Sequence, residues 1–374
     1  MRPHTRDVAE VLAGGADVSV DPPASRVDGA RGRCRFVLSD EDNRAVAPLV
    51  AELAFAYDTI EDPRLARHAR RLAGGLPSAL VQFLGDFRLM EPAALCLVSG
   101  LDVDDAELGA TPEHWRDSQY SSPAFTQEIF FLLCASVLGD VFGWATQQDG
   151  RLMHDVLPIR GHEYVEIGSN SLQHLSWHTE DAFHPCRGHY VALMCLRNPD
   201  DVATLLCDAA DIDWSQVDVE ALFEADFTQM PDNSHQPQNV KESTGDATID
   251  RLRARSFALI QSWNDHPVRR PVLFGDRHDP YMALDPYHMK TDGWSPRALR
   301  AFEGLCDQIE AHLEEVPLRP GDIAFIDNYR AVHGRAPFRA HYDGTDRWLK
   351  RLNITGNLRG SRAWRPAPDA RIIY

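Results

Sequence analysis

Apolar residues recur at helical spacing early in the chain and in short strand-length runs later. Ser39 to Tyr57 follows helical spacing, with Ser39 placed as N-cap ahead of acidic residues. Arg64 to Phe87 reads as further helix, its basic Arg67–Arg71 stretch forming a solvated face. Pro123 to Trp144 reads as one long apolar helix. After it come short apolar runs punctuated by Gly, Pro, Asn and Asp: YVALMCL (190–196), PVLFGD (271–276), DIAFID (322–327) and WLKRLNI (348–354). Helical segments near 215–226 and 297–314 interrupt them, and no repeat period is visible. This order predicts a mainly β domain with helical decoration, a sandwich or barrel wrapped by helices. Residues 1–33, rich in Pro, Gly, Arg and Ala, are expected to be a flexible N-terminal segment, and 34–374 a single domain. The polar stretch 232–250 is a candidate lid.

Composition narrows the classes. Hydrophobic residues make up 44% and charged residues 25%, an ordinary globular balance. The net charge of −18 excludes nucleic acid as an expected partner, because a phosphate backbone needs a basic surface. The longest apolar run, Ile129 to Gly139, is too short to span a bilayer, so no membrane partner is expected. Seven scattered cysteines without a CxxC pair argue against a disulfide framework or thiolate zinc site and for a reducing cytoplasm. No signal peptide is read at the N-terminus. The oligomeric state is left open.

One constellation carries chemistry. His178-Thr179-Glu180 places an imidazole and a carboxylate at i and i+2, on one face of a strand. The pattern is weak alone, because 16 His and 56 acidic residues make chance pairs common. His333, in GDIAFIDNYRAVHGR (321–335), supplies a third donor after a strand and a turn. Two His and one carboxylate form a facial set that suits iron(II) and leaves positions for a bidentate oxoacid and O2. Zinc is the rival metal, though the HExxH of zinc proteases is absent. Arg347, beyond His333, could fork onto a distal carboxylate such as that of 2-oxoglutarate. Arg351 shares its strand face.

The blocks HTEDAFHP, GWATQQDGRLMHDVLP (143–158), LRNPDDVAT (196–204), FIDNYRAVHGR and DGTDRWLKR resemble the clavaminate synthase-like iron(II)/2-oxoglutarate oxygenases. Within them, the branch that hydroxylates L-arginine for viomycin-type antibiotics is nearest. The likeness runs from about Leu108 to Ser361. It implies a double-stranded β-helix (jelly roll) core, with iron(II), 2-oxoglutarate and O2 as cofactor and co-substrates. It implies His178, Glu180 and His333 as metal ligands, Arg347 and Thr204 as oxoacid contacts, and Gln147 and Arg351 as holders of the substrate's amino-acid head. Asp232 and Asp285 match two of three aspartates that clamp a guanidinium. The third position is here Tyr287, and a serine of the substrate site is here Gly168, followed by Ser169. The implied reaction is hydroxylation at Cβ or Cγ of a free L-amino acid with an arginine-like side chain, arginine or citrulline, in antibiotic or non-ribosomal peptide biosynthesis. Lysine, a cyclic guanidine amino acid, and desaturation or cyclisation stay open as alternatives. From a different class, so does a zinc hydrolase or metal-binding non-enzyme. The retained Glu180 favours hydroxylation over halogenation. His162, His174, His184 and His189 read as surface or supporting groups.

Overall fold

The computed structural model describes residues 26–28, 33–117, 122–241 and 243–374. The expected flexible segment 1–33 thus falls outside the described residues, apart from 26–28 and 33. Helix α1 (Asp40–Ala56) starts where the sequence places it. Ser39 Oγ accepts from the Asp42 N–H at 3.1 Å and the Asp42 carboxylate accepts from the Ser39 N–H at 2.9 Å, a closed capping box. The run expected as one helix over 64–87 is two, α2 (Pro63–Leu72) and α3 (Ser78–Met90). A 3-10 turn at Ala73–Gly75 and Pro77 between them breaks the ladder. Likewise α4 (Phe125–Leu138) ends at Gly139, and the rest of its apolar run becomes a strand. A side chain at Gly139 would stand 2.5 Å from the Thr355 carbonyl, so the chain leaves the helix pressed against a strand. The expected helix near 215–226 is reduced to Val219–Leu222. The candidate lid forms two 3-10 turns, Asn233–His235 and Pro237–Asn239, and then enters an unanticipated helix α5 (Ala247–Asp265) capped by Asp246. Helix α6 spans Pro296–Ala311.

The strands that matter are β1 (Arg33–Val37), β2 (Leu95–Ser99), β3 (Asp140–Trp144), β4 (Met153–Val156), β5 (Leu175–His178), β6 (Tyr190–Arg197), β7 (Ala203–Asp208), β8 (Glu314–Pro317), β9 (Ile323–Asp327), β10 (Ala331–Arg335) and β11 (Trp348–Thr355). The larger sheet runs Arg26–Asp28, β1, β2, β9, β6, β11, β3, Ile372–Ile373, with β4 also on β11. The smaller sheet runs β8, β7, β10, β5. All its pairings are antiparallel.

Alternation explains why the strands read as unbroken apolar runs. On β6, Ala192, Met194 and Leu196 pack into the core shared with α1–α4, while Val191, Leu193 and Cys195 pack with Leu206, Val316 and Ala331 of the smaller sheet. On β9, Ile323 and Phe325 take the helix side, Ala324 and Ile326 the sheet side. A strand buried on both faces needs apolar residues at every position. The outer face of the smaller sheet, with Trp177, Cys207 and Val332, packs on Ala298, Ala301, Phe302, Leu305 and Ile309 of α6. The layers are therefore helices, large sheet, small sheet, helix. No helix among the described residues is long and apolar enough to cross a membrane.

Lys350 on β11 is the exception in the helix-side layer. Its Nζ is buried 2.8 Å from Glu128 of α4 and 2.5 Å from Asp155 of β4. Burial alone would lower its pKa, but the two carboxylates raise it above the usual lysine range. Trp348 Nε1 donates to the same Asp155 at 2.7 Å. Lys350→Met leaves Glu128 buried without its cation and Asp155 with Arg151 at 3.3 Å in place of two cations. The expected loss is about 3–5 kcal/mol of stability, read from chemical denaturation. A loss within about 1 kcal/mol would mean that the acids reach water.

Candidate metal centre and substrate cavity

His178 ends β5 and His333 sits mid-strand on β10, directly opposite each other in the antiparallel register. Opposed residues bring their side chains to one face, and the two imidazole centroids lie 4.8 Å apart. Gly334 lets β5 approach, since a Cβ there would stand 2.6 Å from the Leu175 carbonyl oxygen. Glu180 differs from the sequence expectation. It lies past the end of β5, not on its face, and is turned in by Asp181, whose φ is 52°. Its Oε2 is 3.4 Å from His333 Nε2 and 3.7 Å from His178 Nε2. His178 Nδ1 donates to the Ser176 carbonyl at 2.7 Å, which turns Nε2 toward the carboxylate.

The backbone of Glu180 hangs on one residue. Its N–H donates to Asn328 Oδ1 at 2.6 Å, and Asn328 Nδ2 donates to the Glu180 and Gly188 carbonyls, both at 3.0 Å. Asp181 is fixed by Trp144 Nε1 at 2.5 Å and His235 Nε2 at 2.9 Å. The electrostatics suit a cation. Burial would lower the His178 pKa, but the hydrogen bond to Glu180, with the charges of Asp285 and Glu180, raises it to about 10. Burial would raise Glu180, but Arg351 and the two imidazoles bring it well below the usual range. Burial keeps His333 below its ordinary value. A dication would replace the His178 proton, and the donor set of two imidazoles and one carboxylate fits iron(II).

One cavity joins these groups to Thr204, Arg335, Arg347, Arg351, Asp232, Ser234, Asp285 and His288. Its two deep guanidinium groups differ. Arg335 donates to the Asn170 carbonyl and Oδ1, both at 2.6 Å, and to the Gln173 carbonyl at 3.0 Å. Arg347, just before β11, is buried, its Nε lacks an acceptor, and no carboxylate among the described residues pairs with it. Burial lowers its pKa to about 10. A buried cation without an anion is costly, so this is where an acid ligand fits.

Arg351 points inward from β11. It pairs with Glu180 through Nη1, and its Nη2 lies 3.0 Å from Gln147 Oε1 and 2.8 Å from His154 Nδ1. Burial and two arginines hold His154 well below the usual imidazole range, so its Nδ1 accepts. Gln147 and Ser169 line an adjoining cavity that shares Arg351, Ser234 and Gly168 with the first. Tyr287 is a correction. It is 53% exposed and lines neither cavity, whereas His288 lines the first. Pro286–His288 is a 3-10 turn capped by Asp285, and three residues per turn bring 288, not 287, back beside 285.

The sequence reading missed His154, Asn328, His235 and His288. Asn328 looks like any turn asparagine between two strands, and only the spatial return of 178–180 reveals its role.

Comparison with known proteins agrees with this geometry. Residues 95–353 match the family described as taurine catabolism dioxygenase TauD, TfdA family. The chain is 70% identical over 341 residues to an L-ornithine/L-arginine 3-hydroxylase of Catenulispora acidiphila, covering 91% of this chain and 99% of that protein. It is 45% identical over 338 residues to an enduracididine beta-hydroxylase of Streptomyces hygroscopicus, covering 90% and 98%. The solved structure of the non-heme iron oxygenase OrfP with Fe, succinate and (3S)-hydroxy-L-Arg superposes with a TM-score of 0.85 at 43% identity, covering 91% and 99%.

Replacing Asn328 by Ala is expected to weaken iron(II) binding by about 10–100-fold, measured by anaerobic titration in the presence of 2-oxoglutarate. Unchanged affinity would show that Glu180 holds its position without that amide.

Proposed function

The chain belongs to the TauD, TfdA dioxygenase family, and on that premise we propose that it hydroxylates the β-carbon of free L-arginine and L-ornithine. It is an iron(II)/2-oxoglutarate-dependent dioxygenase of amino acids, using O2. The zinc-hydrolase alternative falls with the family. The two facing sheets are read as a double-stranded β-helix. The observation that carries the substrate reading is the charge content of one cavity: a buried cation, Arg347, with no carboxylate partner among the described residues, and two carboxylates, Asp232 and Asp285.

His178, Glu180 and His333 hold the metal. Arg347 takes the distal carboxylate of 2-oxoglutarate as a fork, with Thr204 beside it. When bound, the metal and oxoacid supply an oxidant that takes hydrogen from an unactivated C–H and returns hydroxyl, with succinate and CO2 as co-products. The chain decides which C–H. Arg351 receives the substrate's α-carboxylate and Gln147 helps to hold the head. Because Arg351 also pairs with Glu180, the head sits next to a metal ligand, and the β-carbon is the first side-chain carbon beyond it. His154 Nδ1 accepts from Arg351 Nη2 and holds the guanidinium in place. Asp232 and Asp285 receive the cationic end, so the substrate is tied at both ends and misplacement near 1 Å is prevented. Ser169, hydrogen-bonded to His162 at 2.8 Å, shapes the head-side wall.

Incubation with iron(II), 2-oxoglutarate and ascorbate should add one oxygen atom to arginine and ornithine, detected by mass spectrometry. Citrulline, lysine and homoarginine serve as comparators. Product from none of the basic amino acids would overturn the reading. In the same assay, Arg347→Ala should raise the KM for 2-oxoglutarate by on the order of 100-fold, through loss of a buried charge-assisted fork.

A further inference from the structure

Three polar residues, Asp232, Asp285 and His288, line the cavity together, and one has a ring nitrogen without a partner. The Asp285 carboxylate accepts from His288 Nδ1 at 2.8 Å and from the His288 N–H at 3.3 Å. Asp232 accepts from the Ser234 N–H at 2.8 Å and from its hydroxyl, and so caps the Asn233–His235 turn. His288 Nε2 is buried and has no hydrogen-bond partner. All three residues line the cavity. Resting on the function proposed above, we propose that His288 is a specificity-determining residue. Its Nε2 is the third acceptor, beside Asp232 and Asp285, for the nitrogen that ends the substrate side chain.

The chemistry follows from the proton on the other ring nitrogen. With Nδ1–H given to Asp285, the neutral imidazole presents a lone pair at Nε2. A buried nitrogen left unmatched costs free energy, and a ligand N–H recovers it. Two carboxylates and one imidazole lone pair match the three N–H groups of a primary ammonium, one each. They also fit three of the five N–H groups of a guanidinium. A urea fits poorly, because its carbonyl oxygen carries no N–H and meets carboxylates. The charged groups acting on His288 are Asp285, Asp232 and His178. Asp285 favours the imidazolium in the free protein. An incoming ammonium reverses that preference, since two cations would then share one site, and the Nε2 proton leaves to solvent.

Calorimetric titration of the anaerobic enzyme loaded with iron(II) and 2-oxoglutarate, in mildly alkaline buffer, tests the assignment. The ligands are ornithine, arginine and norvaline, the last being ornithine without its terminal nitrogen. His288→Leu is expected to weaken ornithine and arginine binding by on the order of 10–100-fold. Norvaline binding should change by less than about threefold, since it offers Nε2 no donor. His288→Gln, which restores an acceptor near the Nε2 position, should recover part of the loss. If the Leu variant no longer binds 2-oxoglutarate, His288→Asn, too short to reach that position, carries the same test. Ornithine binding within about twofold of wild type, or a norvaline loss equal to the ornithine loss, overturns the inference while the proposed function stands. A wild-type enzyme that binds neither ornithine nor arginine overturns both.

Discussion

A single buried carboxylate organises the centre of this molecule. Glu180 receives two imidazoles and one guanidinium, and each arrives from a different strand: β5, β10 and β11. A carboxylate removed from water is tolerated only with charged or donor partners. Here the partners are the two imidazoles of the candidate metal site and the guanidinium proposed above to receive a substrate. The two sheets are thereby joined by polar contacts at one end of an otherwise apolar interface. That interface, built of Val191, Leu193, Leu206, Ala324 and Ala331, fixes how far apart the sheets stand.

The cavity shows how local backbone chemistry sets charge positions. Asp232 and Asp285 each cap a 3-10 turn, so the bond that shapes the loop also aims the acid. Arg335 and Arg347 show the converse. The first is held by backbone carbonyls and the Asn170 side chain and is part of the wall, while the second has no acceptor among the described residues. Two arginines in one cavity are thus separated in role by their surroundings and not by their type.

Much of this was legible in the sequence. The strand runs at 190, 322 and 348 and the Ser39 cap follow from period and capping chemistry, and the meeting of 178, 180 and 333 follows from motif, though not by the shared strand face that the spacing suggested. What was not legible depends on the third dimension. Gly139 stops an apolar helix because a strand lies against it, which a one-dimensional pattern cannot register. Helix α5 begins in a polar stretch whose composition suggests a loop. Tyr287 faces out and His288 faces the cavity because a 3-10 turn repeats every three residues, a phase that the motif does not carry. Asn328 carries no signal beyond its turn.

The alternation on β11 has a consequence for how the chain can change over time. Lys350 faces the helices and is tied to Glu128 and Asp155, while Arg351 faces the cavity and is tied to Glu180, Gln147 and His154. Sliding the strand by one position would exchange a cation that belongs among helices with one that belongs in the site. Insertions or deletions in the 336–346 connection therefore cannot be absorbed by strand slippage and have to be taken up as bulging of the loop itself. Any change of length there falls on the loop, while the two-residue phase of the strand is locked.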